Sequence, residues 1–325
     1  MLKDLLQNRK CFKLVCGAGN EDAEEVEKLA YVYAKAGARL FDLSANEEVV
    51  QAAISGFNRT GSDISDYLIS ISVGIRGDPH ISKASIDQSK CAFCLACLKV
   101  CSNSAIFTEN NKISVNSKRC IGCGKCYKAC QFKAVVYSSI PKPINESIDP
   151  LIKYNISCLE LHAISSDEKN FKESWNLLKE YNCGIMSLCL DRSEIGNNEL
   201  IKRVKYAIKG REDESVIIQA DGSPMTGGVD DYHSTLQAVA TAEIINNARL
   251  PVFVVVSGGT NSRSGELLKI CSVNAHGVAI GSYARSIVGE YIKDKNFFEK
   301  KELIELSVMK AKILVNRIMF YLAKL

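Results

Sequence analysis

Eight of the chain's 14 cysteines fall within forty residues, in two runs of one spacing. Cys91, Cys94, Cys97 and Cys101 read C-x2-C-x2-C-x3-C, and Cys120, Cys123, Cys126 and Cys130 repeat the pattern 29 positions later. This is the bacterial ferredoxin spacing, in which three thiolates on a tight loop cover three corners of an iron–sulfur cube and the fourth reaches the other cluster. Cys91, Cys94, Cys97 and Cys130 are therefore assigned to one [4Fe–4S] cluster, and Cys120, Cys123, Cys126 and Cys101 to the second. Each fourth cysteine is expected to open a helix, with short strands after each half at Ser104–Phe107 and Lys133–Val136. Ser102 and Gln131 stand where ferredoxins usually carry proline, which loosens the following turn without removing a ligand. Zinc ribbons use paired C-x2-C, a simpler pattern than the eight positions here. The first ten residues lack a signal-peptide pattern, so metal ligation is expected rather than a disulfide scaffold, and the location cytoplasmic.

The charge is concentrated in the same region. Residues 76–140 carry ten Lys/Arg and three Asp/Glu, a net +7, which leaves −3 on the remainder of a chain whose total is +4. Cations near thiolate-ligated clusters offset negative charge and tune potential. They also suit docking of an acidic electron carrier. The overall balance is too mild for a nucleic-acid binder, and no apolar run approaches a membrane span.

Outside the cysteine region, short apolar runs alternate with amphipathic stretches. Strands are expected at 12–19, 39–44, 67–73, 158–162, 184–190, 215–220, 252–256 and 277–280, each followed by a helical segment. Parallel strands need such crossovers, and eight units make an α/β fold of the (β/α)8 TIM-barrel type. Residues 1–75 are expected to supply the first three barrel strands, and residues 76–140 an inserted 2[4Fe–4S] ferredoxin domain. Residues 141–325 then supply the remaining five barrel strands and a C-terminal helix, and Pro141-Lys-Pro143 marks the junction. An insertion after strand three lies in a β→α loop, so the clusters should overhang the C-terminal face, where barrel active sites form. Residues 297–325 carry apolar positions spaced 4, 3, 4, 3, 4 from Ile304 to Leu322, an amphipathic helix suited to packing on the barrel.

Two glycine turns in the barrel are candidates for a phosphate site: Gly258, Gly259, Thr260 and Asn261 after strand seven, and Gly281 and Ser282 after strand eight. Glycines there let backbone N–H groups approach an anion such as the phosphate of FMN; the competing reading is plain tight turns. A further Gly-rich loop, Asp221–Gly228, is long enough to shape a pocket. Asp42, Glu160, His162, Asp191 and Gln219 lie at strand ends, and Cys16 and Cys189 are candidate reactive thiols there, but no nucleophile–base–orienter set can be assembled. No lysine is placed at a strand end, and the catalytic residues are unknown.

The barrel start Cys16-Gly-Ala-Gly-Asn-Glu-Asp22, the eight-cysteine insertion, Gln219-Ala-Asp-Gly-Ser-Pro-Met225 and Ser257-Gly-Gly-Thr-Asn261 together resemble the light-dependent-period (LdpA) proteins of cyanobacteria. The resemblance implies an iron–sulfur redox sensor that feeds light-dependent cellular state to the circadian clock, with clock-associated proteins as partners. The alternative from another class is a ferredoxin-linked flavin oxidoreductase, with FMN or another phosphate-bearing ligand at the glycine turns.

Overall fold

The computed structural model describes residues 1–16, 19–75, 82–139, 142–222 and 229–325. The chain opens with α1 (Leu2–Gln7) and continues β1 (Cys11–Val15), α2 (Ala23–Lys35), β2 (Leu40–Ser44), α3 (Glu47–Asn58) and β3 (Leu68–Gly74). A block of short elements follows: β4 (Ser82–Ile86), α4 (Ala96–Lys99), β5 (Ile106–Glu109), β6 (Lys112–Val115), α5 (Lys125–Ala129) and β7 (Val135–Ser139). After α6 (Ile144–Ile148) come β8 (Ile156–His162), α7 (Glu168–Glu180), β9 (Ile185–Leu190), α8 (Asn197–Ile208), β10 (Val216–Asp221) and α9 (His233–Asn247). The chain closes with β11 (Phe253–Ser257), α10 (Ser264–Ile270), β12 (Gly277–Ile280), α11 (Ser282–Ile292) and α12 (Lys301–Leu322).

Eight of these strands close into a parallel barrel in the order β1-β12-β11-β10-β9-β8-β3-β2. The inserted elements form two antiparallel pairs, β4–β7 and β5–β6. Helix starts follow local chemistry. Asp22 caps α2 by accepting the Glu25 N–H at 3.2 Å, and Glu24 and Glu25 sit in the first turn, where the helix dipole favours anions. Asn46 and Asp167 cap α3 and α7 in the same way.

Strand alternation sorts the residues into two sets. Phe12, Leu14, Phe41, Leu43, Leu159, Leu161, Ile218 and Val256 belong to the large core shared with the surrounding helices. The opposite parity faces the barrel interior. Its lowest layer, Cys11, Leu40, Leu68, Cys158, Ile217 and Phe253, packs on Leu2 and Leu6 of α1, so α1 stoppers the N-terminal end.

The insertion leaves β3 at its C-terminal end and rests on that rim, touching the connection after β1 through Lys118 and Arg119 and the start of α3 at Glu48. Helix α12 lies against α2, α10 and α11, burying Ala311, Leu314, Val315, Ile318 and Leu322, the packing role expected of it.

Several local expectations are revised. The third strand is followed by the insertion and the five-residue α6, not by a helix of ordinary length. The first strand ends at Val15 rather than Gly19. Helix α1 and strands β4 and β6 have no counterpart in the sequence reading, being short and, in β4 and β6, polar. Gly17, Ala18, Pro141 and Ser223–Gly228 lie outside the described residues, and with them the pocket expected of the loop after β10.

Candidate metal centre and barrel mouth

The structure gathers the eight ferredoxin-type cysteines into two groups. One cavity is lined by Cys101, Cys120, Cys123 and Cys126 together with Ala84, Ile106 and Tyr137. The other is lined by Cys91, Cys94, Cys97 and Cys130 together with Ile86, Ile113 and Val135. Each takes three thiols from one run and one from the other, so the two halves interlock. All eight are free thiols, the soft donor set that iron–sulfur clusters use.

The local backbone explains the convergence. Phe93 and Leu95 have φ of 52° and 62°, and the equivalent Gly122 and Gly124 have 72° and 75°. These left-handed turns wrap each C-x2-C-x2-C segment around its cavity; the second half meets the need with glycine, the first with side chains that resist it. Backbone N–H groups of Ala84, Ala105 and Ala134 donate to the sulfurs of Cys120, Cys101 and Cys130, each at 3.3 Å. The Tyr137 hydroxyl lies 3.3 Å from the Cys126 sulfur.

Two expectations about the fourth cysteines change. Cys101 and Cys130 follow the short helices α4 and α5 rather than opening them. The turns after them are closed without proline, by Ser104 N–H to Cys101 C=O and Lys133 N–H to Cys130 C=O, both 3.2 Å.

Inside the barrel a second polar constellation stands above the apolar layer. Glu160 is fully buried and accepts five hydrogen bonds. Lys13 Nζ and Ser187 Oγ approach its Oε2 at 2.6 Å each. His162 Nε2, Gln219 Nε2 and Ser72 Oγ approach Oε1 at 2.9, 3.0 and 3.3 Å. Lys13 also donates to Gln219 Oε1 at 2.9 Å and lies 3.6 Å from Asp42, which accepts from Ser72. Burial opposes the Lys13 charge, but the Asp42 and Glu160 carboxylates outweigh it and hold its pKa above the usual lysine value. Burial likewise opposes ionisation of Glu160, yet Lys13 and the His162 hydrogen bond drive its pKa far below the carboxyl range. Asp42 moves the other way: burial raises its pKa, and Glu160 adds to the rise that Lys13 only partly offsets. Asp42, Glu160 and His162 offer ligand atoms within 4.8 Å of one another, with the Lys13 ammonium beside them as an internal cation.

The glycine turns are mostly committed to the fold. A Cβ at Gly258, whose φ is +67°, would strike the Asp221 carboxylate, so close packing alone demands glycine there. The Thr260 hydroxyl donates to Ala279 C=O at 2.5 Å. Asn261 is wholly buried and its amide spans Val229 C=O, Asp231 C=O and Ser234 Oγ at 3.0, 2.7 and 2.9 Å. Gly259, and Gly281 with Ser282 at the start of α11, contribute backbone to the same rim; no side chain caps that helix. Asp191 holds Ser193 through contacts of 2.8 and 2.9 Å. Cys16 and Cys189 are both buried, and burial pushes the Cys16 thiol well up, which disfavours the reactive thiolate.

Comparison with known families adds the decisive observation. Residues 151–317, just over half of the chain, match the family described as the light dependent period A C-terminal domain. The chain belongs to that family. Residues 83–131 match a 4Fe-4S dicluster domain, so this light dependent period A family member carries an iron–sulfur module. Light dependent period A of Synechococcus elongatus is 26% identical over 305 residues, covering 89% of this chain and 84% of the relative. Among solved structures, Mycobacterium tuberculosis tryptophan synthase is similar at 12% identity, over 98% of this chain and 96% of that one, with a TM-score of 0.48. A 3-hexulose-6-phosphate synthase is similar at 11% identity, over 95% of this chain and 99% of that one, with a TM-score of 0.42.

The barrel of this family member also holds residues that sequence reasoning misses. Asp42, Glu160, His162 and Gln219 stand out as strand-end polar groups, but Lys13, Ser72 and Ser187, which bind them together, do not. Lys13 is legible as a cation in the middle of the apolar run Phe12-Lys13-Leu14. No helix among the described residues is long and apolar enough to cross a membrane.

Proposed function

We propose that the chain is an iron–sulfur redox sensor that holds two [4Fe–4S] clusters and reports their state to clock-associated proteins. The observation that supports this best is the pair of interlocked thiol cavities. Cys91, Cys94, Cys97 and Cys130 would hold one cluster, and Cys120, Cys123, Cys126 and Cys101 the other. When bound, these groups supply reversible one-electron chemistry. The chain's own residues set its conditions: amide N–H groups point at three sulfurs, and an excess of Lys and Arg surrounds the module. Tyr127, Phe132 and Phe107 are exposed on the module near that positive charge, a surface suited to an acidic protein partner. The sensor is placed in the cytoplasm, where thiolate-ligated clusters meet a reducing environment.

Anaerobically purified protein should contain about eight iron atoms per chain, the number two cubane clusters require. Used as bait in a cyanobacterial extract, its oxidised and reduced forms should retain different sets of proteins. Identical retention in both states refutes the sensor.

A second reading, an FMN-dependent oxidoreductase, draws support from the uncapped start of α11 beside Gly281 and Ser282. Asp221 against Gly258, and the committed side chains of Thr260 and Asn261, weigh against a phosphate there. Acid release of FMN from purified protein would favour the enzyme; its absence favours the sensor.

A further inference from the structure

The second cysteine loop is tied to the barrel mouth by contacts that meet on residues 19–25, the end of the link from β1 and the first turn of α2. On the module side, Lys83 Nζ donates to both Gly19 C=O at 2.5 Å and Cys120 C=O at 2.8 Å, joining the connection directly to a cluster-cavity residue. Glu21 N–H donates to Lys118 C=O at 2.7 Å. Arg119, next to Cys120, lies 3.1 Å from Asp22 and 3.6 Å from Glu25. On the barrel side, Asn20 Nδ2 donates to Glu25 Oε2 at 2.7 Å and to Cys16 C=O at 3.3 Å. Arg285, at the start of α11, donates to Cys16 C=O at 2.5 Å and lies 3.6 Å from Glu25. Glu25 thus stands between an arginine of the module and an arginine of the mouth.

The two sides of this seam differ in what holds them. The barrel side belongs to a large buried core. The module core comprises Ala84, Ala105, Ile106, Ile113 and Val135 with three cysteines, and α5 has five residues. Neither a core of that size nor a helix of that length persists alone, so the Cys120 loop depends on its metal.

We propose that cluster occupancy at Cys120, Cys123 and Cys126 sets the order of residues 19–25, with Lys83 and Arg119 as the positioning residues that carry the effect. This rests on the sensor reading's assignment of a cluster to those cysteines. With the cluster in place, Lys83 and Arg119 clamp residues 19–25 against the rim. When it is lost, the outer half of the clamp goes with it, Asp22 and Glu25 lose their module partner, and Cys16 loses cover. Because the coupling is thermodynamic, whatever steadies the connection from the barrel side also steadies the cluster loop.

The test compares the full-length protein with its clusters loaded and after anaerobic chelation, using hydrogen exchange of peptides spanning 19–30 and maleimide labelling of Cys16 read by peptide mass spectrometry. Stripping should speed exchange in those peptides about tenfold or more, as for a segment passing from docked to locally open, and should expose Cys16. Peptides from β10 and β11 should not change. A Lys83→Ala/Arg119→Ala variant, compared with wild type at matched cluster loading, should show the same deprotection, whereas Arg119→Lys with Lys83 intact, which keeps the charge, should stay protected. Unchanged exchange in demonstrably stripped protein overturns the seam, as does a loaded double variant that exchanges like wild type. A protein that purifies anaerobically without cluster absorbance removes the underlying sensor reading instead, and the spectrum shows this before any exchange is measured.

Discussion

At the scale of single residues, the barrel interior departs furthest from what an inert scaffold would hold. Lys13 and Glu160 are 3% and 0% exposed, and they compensate each other at 2.6 Å. Removing one member of such a pair leaves the other buried and uncompensated, typically a loss of about 3–5 kcal/mol. Lys13→Met should therefore lower barrel stability by about that amount in a urea titration. The triple change Lys13→Met/Glu160→Gln/Asp42→Asn, which removes the charges together, should recover much of it. A Lys13→Met midpoint equal to wild type would show that the pair contributes nothing. The cysteines are legible from the sequence because their spacing is a local pattern, the one the matched 4Fe-4S dicluster domain carries. The interior set is only half legible: it is spread over β1, β2, β3, β8, β9 and β10, and barrel closure rather than local pattern brings it together.

At the scale of elements, residues that alternate apolar and polar behave as their periods require. Strand β12 has the expected boundaries, because a buried apolar run leaves few alternatives. The short β4, β6 and α6 escape prediction because their order comes from pairing and docking, not from propensity. One connection between elements is expected to respond to pH. His276 precedes β12, and its Nδ1 accepts the Val254 N–H of β11 at 2.9 Å. Burial, reinforced by the nearby Arg9, lowers its pKa in the fold. The unfolded chain therefore binds a proton first as pH falls, so this stability is present above the usual imidazole value of about 6.5 and is lost below it. Wild type should lose more stability between neutral and mildly acid pH than His276→Asn, whose amide oxygen replaces the ring acceptor without titrating. Parallel pH profiles for the two proteins would refute the assignment.

At the scale of the whole molecule, two regions with different sources of order share one chain. The barrel is held by a continuous core between its strands and helices, and the module by a few aliphatic residues and its thiols. Chelating the iron should accordingly leave the barrel folded and open the module. Limited proteolysis after chelation should cut first between residues 82 and 139, while a fragment from α7 onward survives. Equal sensitivity across the chain would mean that the two regions unfold as one. The plug formed by Leu2 and Leu6 of α1 adds a constraint on traffic. With one end of the barrel corked, a small molecule bound for the Lys13–Glu160 set must arrive from the far end. The iron–sulfur module borders that approach, so the barrel's doorway and its electron store share a threshold.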